Sequence, residues 1–143
     1  MKAEVNWDQG LTFAGTADSG FTVNLGGSPA VGGDDDGFRP MELILTGLIG
    51  CTAMDVISIL GKKRQDVTAF HVTAEAEQAE TFPKVFTTIH IHYVVEGHQI
   101  DPQAVERAME LSETRYCPAQ AMLSPTVDMK LTYEIIEAEP AIA

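Results

Sequence analysis

From Pro40 to Lys63 the chain is apolar on nearly every side of a helical wheel, and this stretch constrains the fold more than any other. Pro40 suits the first position of a helix, and Glu42 falls in its positive first turn. Lys62-Lys63-Arg64 then supplies cations where the helix dipole turns negative. A helix apolar all round has to be covered on most of its faces. Gly47 and Gly50 lower its intrinsic propensity by roughly 1 kcal/mol each relative to Ala. Close approach of another backbone offsets that loss, and a second copy of the same helix is the natural candidate. The run Leu43 to Leu60 approaches membrane-spanning length, but Thr46, Gly47, Gly50, Thr52, Asp55 and Ser58 interrupt it. A core helix is therefore expected, not a membrane span.

The flanking segments alternate with period 2. Residues 2–7 and 11–16 are predicted to form a hairpin, with a third strand near 21–25 and a Gly-, Pro- and Asp-rich loop over 26–37. Residues 67–78 and 85–95 are predicted as two long antiparallel strands joined through a loop holding Pro83. Asp101-Pro102 is an N-cap followed by a helix-starting proline, and Val105, Ala108, Met109 and Ser112 follow at helical spacing. A short helix from Cys117-Pro118 to about Leu123 and a last strand over 127–136 complete the order β-β-β-α-β-β-α-α-β. That order predicts an α+β fold in a single domain over residues 1–143.

Nine basic against 21 acidic residues give a net charge of −12. This argues against nucleic-acid or anionic-membrane partners, which need clustered Lys and Arg. The opening Met1-Lys2-Ala3-Glu4-Val5 turns polar at once and resembles no signal peptide, so a cytoplasmic location is expected, where thiols stay reduced. His90 and His92 share a strand face and invite a metal reading, but no third ligand is evident. They are expected on the solvent face as cross-strand polar partners of Glu75 or Glu77. No metal site is expected, and the glycines lack any nucleotide-binding spacing.

The two cysteines carry the chemistry. Cys51 lies inside the apolar helix, sharing a face with Gly47 and Asp55, so a small residue clears space beside its sulfur. Cys117 precedes Pro118 at a helix start, where backbone N–H groups stabilise a thiolate, and Arg115 lies two residues away. On local sequence, Cys117 is the better thiolate. The alternative is two buried, unreactive thiols. Spacing alone does not say whether the sulfurs meet.

Arg39-Pro40-Met41-Glu42-Leu43, with Gly50-Cys51 following, resembles the central-helix motif of the OsmC/Ohr family, and Tyr116-Cys117-Pro118 is similar to its second cysteine motif. Within the family, Gly-Cys-Thr-Ala-Met-Asp-Val most resembles the less characterised OsmC-like branch, sometimes called YhfA-like. The resemblance implies an OsmC-like fold: an intertwined homodimer with curved antiparallel sheets around long central helices. It further implies thiol peroxidase chemistry. Cys51 attacks an organic hydroperoxide and becomes a sulfenic acid, Cys117 condenses with it, and an external dithiol reduces the resulting disulfide. An apolar pocket around Cys51, lined by neighbours such as Leu48 and Met54, would favour alkyl hydroperoxides.

The sequence also departs from the family pattern. Characterised members activate the first cysteine with an arginine from the N-terminal strands and a glutamate just after the helix proline. Residues 1–38 hold no arginine, and Met41 occupies the position after Pro40, with Glu42 one place (about 100° of helix) further on. Arg39 and Glu42 are the candidate electrostatic helpers. No cofactor is expected, because sulfur carries both electrons. Two rival readings are a small-molecule binding protein with little peroxidase activity and a thiol redox sensor.

Overall fold

A computed structural model describes residues 1–139. Strands β1 (Ala3–Gln9), β2 (Thr12–Ala17) and β3 (Thr22–Leu25) form one antiparallel sheet in that order. Helix α1 spans Pro40–Lys62. Strands β4 (Asp66–Gln78), β5 (Phe86–His98) and β6 (Asp128–Glu137) form a second sheet with β5 central. Helices α2 (Pro102–Leu111) and α3 (Pro118–Leu123) lie between β5 and β6 in sequence, separated by a π turn over Ser112–Tyr116. The α+β expectation holds element by element.

The chain divides into two compact units, residues 1–46 and residue 47 onward. In the first, Leu25 and Phe38 pair as an isolated parallel bridge, so the chain returns to β3 just before α1 begins. The glycine-rich loop between them includes a 3₁₀ turn, Pro29–Val31. Gly33 there lies against the backbone of Gly27 so closely that a Cβ would collide with it. At the start of α1, the Arg39 N–H donates to Glu42 Oε2 at 2.9 Å, which is the glutamate half of a capping box.

The second unit is built on β5. Its alternation buries Ile89, Ile91, Tyr93 and Val95, each fully enclosed. Leu48, Thr52, Val56 and Leu60 of α1, one residue every four, are buried as a stripe, and Val105 and Ala108 of α2 are buried too. Full burial of such a side chain is worth roughly 1.5–3 kcal/mol. Asp101 accepts from Gln103 N at 3.0 Å, capping α2 as its sequence predicts.

Three expectations need correction. The second sheet is mixed: β4 pairs antiparallel with β5, but β6 pairs with it in parallel. The crossover through α2 and α3 returns the chain to run in the same direction, which no hairpin does. Second, α1 is not covered on most faces within one chain: Ile44, Met54 and Ile57 are exposed, and a Cβ on Gly47 or Gly50 would touch nothing. By length and composition α1 would also cross a membrane, but its buried stripe is part of a packed core. Third, His90 and His92 are half-buried and bond to the same hydroxyl, Thr132 Oγ1, at 2.6 and 2.8 Å. His90 does lie opposite Glu75 in register, but the parallel neighbour β6 supplies the bonding partner.

Candidate active site

Cys51 and Cys117 meet. Cys51 is half-buried on α1 and Cys117 is 2% exposed, and both are free thiols, with Cys51 near enough to perturb the Cys117 thiol. The π turn brings this about locally. Cys117 N–H closes it onto the Ser112 carbonyl at 2.9 Å, and Pro118 then starts α3. Cys117 is the N-cap of α3, and its Sγ accepts from Gln120 N at 3.4 Å.

Burial nevertheless dominates at Cys117 and pushes its thiol up to about 11. The Gln120 N–H pulls the other way, the neighbouring Cys51 pushes further up, and the Ala119 N–H pulls down. Arg115 adds no compensating contact at the sulfur: it is exposed, with its guanidinium 5.4 Å from the Tyr116 ring centre. The sequence expectation that the helix start makes Cys117 a ready thiolate is therefore overturned. A helix start favours a thiolate, but desolvation outweighs it here.

A buried polar cluster unread in the sequence lies beside the pair. Thr52 Oγ1 lies 2.7 Å from Tyr93 Oη and 2.9 Å from Ser112 Oγ, and accepts from Gln120 Nε2 at 3.0 Å. Ser112 Oγ donates to Asp55 Oδ2 at 3.0 Å. Thr52, Asp55 and Gln120 stand one, four and three places from a cysteine, but nothing in their spacing marks them as mutual partners. Their meeting depends on the π turn.

Arg39 and Glu42 lie in the first unit with local partners. The Arg39 guanidinium pairs with Asp35 and donates to the Gly37 carbonyl at 2.9 Å, and Glu42 caps α1. Leu48 is buried, but Met54 is 73% exposed, so Met54 does not enclose Cys51 within one chain. Among the described residues, no cluster of three or more His, Cys, Asp or Glu side chains is arranged to hold a metal.

The sequence model of the family described as OsmC-like protein matches residues 33–132. Protein YhfA of Escherichia coli K12 is 39% identical over 138 residues, which is 96% of this chain and all of that protein. A crystal structure of a hypothetical protein from Aquifex aeolicus is similar with a TM-score of 0.85 and 30% identity, over 96% of this chain and 97% of that one. An organic hydroperoxide resistance protein from Elizabethkingia anophelis, crystallised with thiocyanate bound, shares the fold (TM-score 0.69, 19% identity, 93% and 94% coverage). The chain belongs to the OsmC-like protein family.

Proposed function

We propose that this chain reduces organic hydroperoxides through Cys51 and Cys117. The observation that carries the reading is the nearness of the two thiols, one half-exposed and one enclosed. Cys51 is the sulfur a substrate can reach, and the proton held on Cys117 at neutral pH leaves attack to Cys51. The Cys51 thiolate attacks the outer peroxide oxygen, the O–O bond breaks, and the alkoxide takes a proton to leave as alcohol. Cys117 then attacks the Cys51 sulfenic sulfur, its proton leaves with the hydroxide as water, and a disulfide forms. An external dithiol returns both electrons.

The functional unit in this reading is a cytoplasmic homodimer. Its support is the uncovered apolar surface on α1, including Ile44, Met54 and Ile57, together with the open glycines Gly47 and Gly50. Arg39 and Glu42 are the proposed electrostatic helpers of Cys51, released from their local partners or acting from the second copy.

The test is consumption of cumene hydroperoxide with dithiothreitol as donor. Wild type turns over, and Cys51→Ser does not. Turnover unaffected by Cys51→Ser refutes the reading. A second reading, small-molecule binding with little peroxidase activity, has its own support: residues 1–38 hold no arginine, and an apolar cleft of 450 Å³ lies among Val5, Leu11, Phe13, Leu25 and Pro40. A co-purified apolar ligand without peroxide consumption favours it.

A further inference from the structure

Thr52 stands next to Cys51 on α1, and its hydroxyl has no bonding capacity to spare. A carboxylate only accepts, so Ser112 gives its single proton to Asp55. Thr52 then gives its own proton to Ser112, and its two lone pairs accept from Tyr93 Oη and Gln120 Nε2. Tyr93 belongs to the central strand β5, so that bond fixes Thr52 to the core. The other two partners bracket Cys117: Ser112 comes five residues before it and Gln120 three residues after it. All four residues of this set, Thr52, Tyr93, Ser112 and Gln120, are at most 1% exposed.

We propose that Thr52 and Gln120 are positioning residues that clamp the segment carrying Cys117 against Cys51, and so set how readily the two thiols close to a disulfide. This rests on reading the two cysteines as a redox pair. Each side of the segment is tied both to Cys117 and to Thr52. Before the cysteine, the Ser112 carbonyl accepts from Cys117 N at 2.9 Å while Ser112 Oγ lies 2.9 Å from Thr52 Oγ1. After it, the Gln120 backbone N–H donates to Cys117 Sγ at 3.4 Å while the Gln120 side-chain NH₂ donates to Thr52 at 3.0 Å. Gln120 Oε1 has no partner among the described residues. A buried acceptor left empty is costly, and an apolar side chain of similar shape would avoid that cost. Glutamine here is explained by what its side-chain NH₂ holds, not by core stability.

Closing the bond takes one electron and one proton from each thiol and brings the sulfurs to about 2.05 Å. A loose segment gives up its freedom at that step. A segment already held gives up little, which raises the effective concentration of one thiol toward the other. The sulfenic acid of Cys51 benefits in the same way. Cys117 held beside it attacks before a second hydroperoxide carries Cys51 on to the sulfinic acid, which a dithiol does not reverse. Thr52 is the shared point of the clamp, because one hydroxyl holds the segment on both sides of the cysteine.

The experiment equilibrates the protein with mixtures of reduced and oxidised dithiothreitol and reads the free thiols by alkylation and mass. Oxidised dithiothreitol takes up the two electrons and two protons, so the equilibrium constant reports the cysteine pair. Thr52→Val, which keeps the shape and loses the hydroxyl, should lower that constant about tenfold, or about 30 mV for a two-electron couple. Gln120→Met removes one tie and should lower it about threefold, whereas Thr52→Ser keeps the hydroxyl and should stay within about twofold of wild type. Loss of fold stability alone leaves the constant among folded molecules unchanged, so a purely structural role gives the wild-type value in every variant. Wild-type constants in Thr52→Val and Gln120→Met, or Thr52→Ser as low as Thr52→Val, overturn the clamp. If Thr52→Val does not fold, Gln120→Met decides alone. A wild-type chain that forms the bond with oxidised dithiothreitol but ignores cumene hydroperoxide sinks the peroxidase reading and leaves the clamp standing. A chain that forms no such bond sinks both.

Discussion

Raising the pH of the reduced protein from 8 to 11 should destabilise it, and Cys117 should carry a separable part of the loss. In the unfolded chain this thiol ionises near its ordinary value of 9, whereas in the folded state burial holds the proton to about 11. Between those values the native state binds more protons than the unfolded one, so stability falls as pH rises. The contribution is fully present below pH 9 and is lost as pH passes through 11. At about 1.36 kcal/mol for each tenfold, the difference is at most about 3 kcal/mol. Tyr93 acts in the same direction at higher pH, from its ordinary 10 to about 12, so the window from 9 to 10 isolates the thiol best. The assay is urea unfolding under reducing conditions at half-unit pH steps, comparing wild type with Cys117→Ala. Wild type should lose more stability over this window than the variant, whose baseline is lower but flatter. Parallel curves would refute the claim that burial governs this sulfur.

Three further outcomes follow from packing and caps. Gly47→Leu should gain about 1 kcal/mol of helix propensity at a position where an added Cβ meets nothing in its own chain, yet turn a dimer into a monomer by light scattering; an unchanged mass would argue against α1 at the interface. Leu60→Ala removes a fully enclosed side chain and should cost about 2–5 kcal/mol in urea, with under 1 kcal/mol showing the site can collapse. Asp101→Ala removes the α2 cap and should cost about 1 kcal/mol, an effect that Asp101→Asn mostly restores.

Most of the fold was legible because its signals are local. Pro40, Asp101-Pro102 and Cys117-Pro118 mark three helix starts that the structure places at Pro40, Pro102 and Pro118. The alternation over 85–95 marks the central strand, though β5 runs on to His98. What the sequence concealed is non-local. The parallel register of β6 follows from a crossover, not from its own residues, and it moved the histidines' partner from Glu75 to Thr132. The π turn has no composition signal, yet it places Ser112 against Thr52 and caps α3 with the Cys117 sulfur. The character of Cys117 was misjudged for the same reason. A helix start can be read from Cys-Pro, whereas the enclosure that outweighs it depends on segments far away in the chain.

The central claim is that two adjacent thiols exchange electrons with a hydroperoxide. Its most direct test is the mass of the reduced protein after one equivalent of cumene hydroperoxide, with peptide mapping under non-reducing conditions. The account predicts loss of two hydrogens per chain and a single crosslinked peptide joining Cys51 to Cys117. Two free, alkylatable thiols after the peroxide has been offered, or a crosslink only between chains, would contradict it.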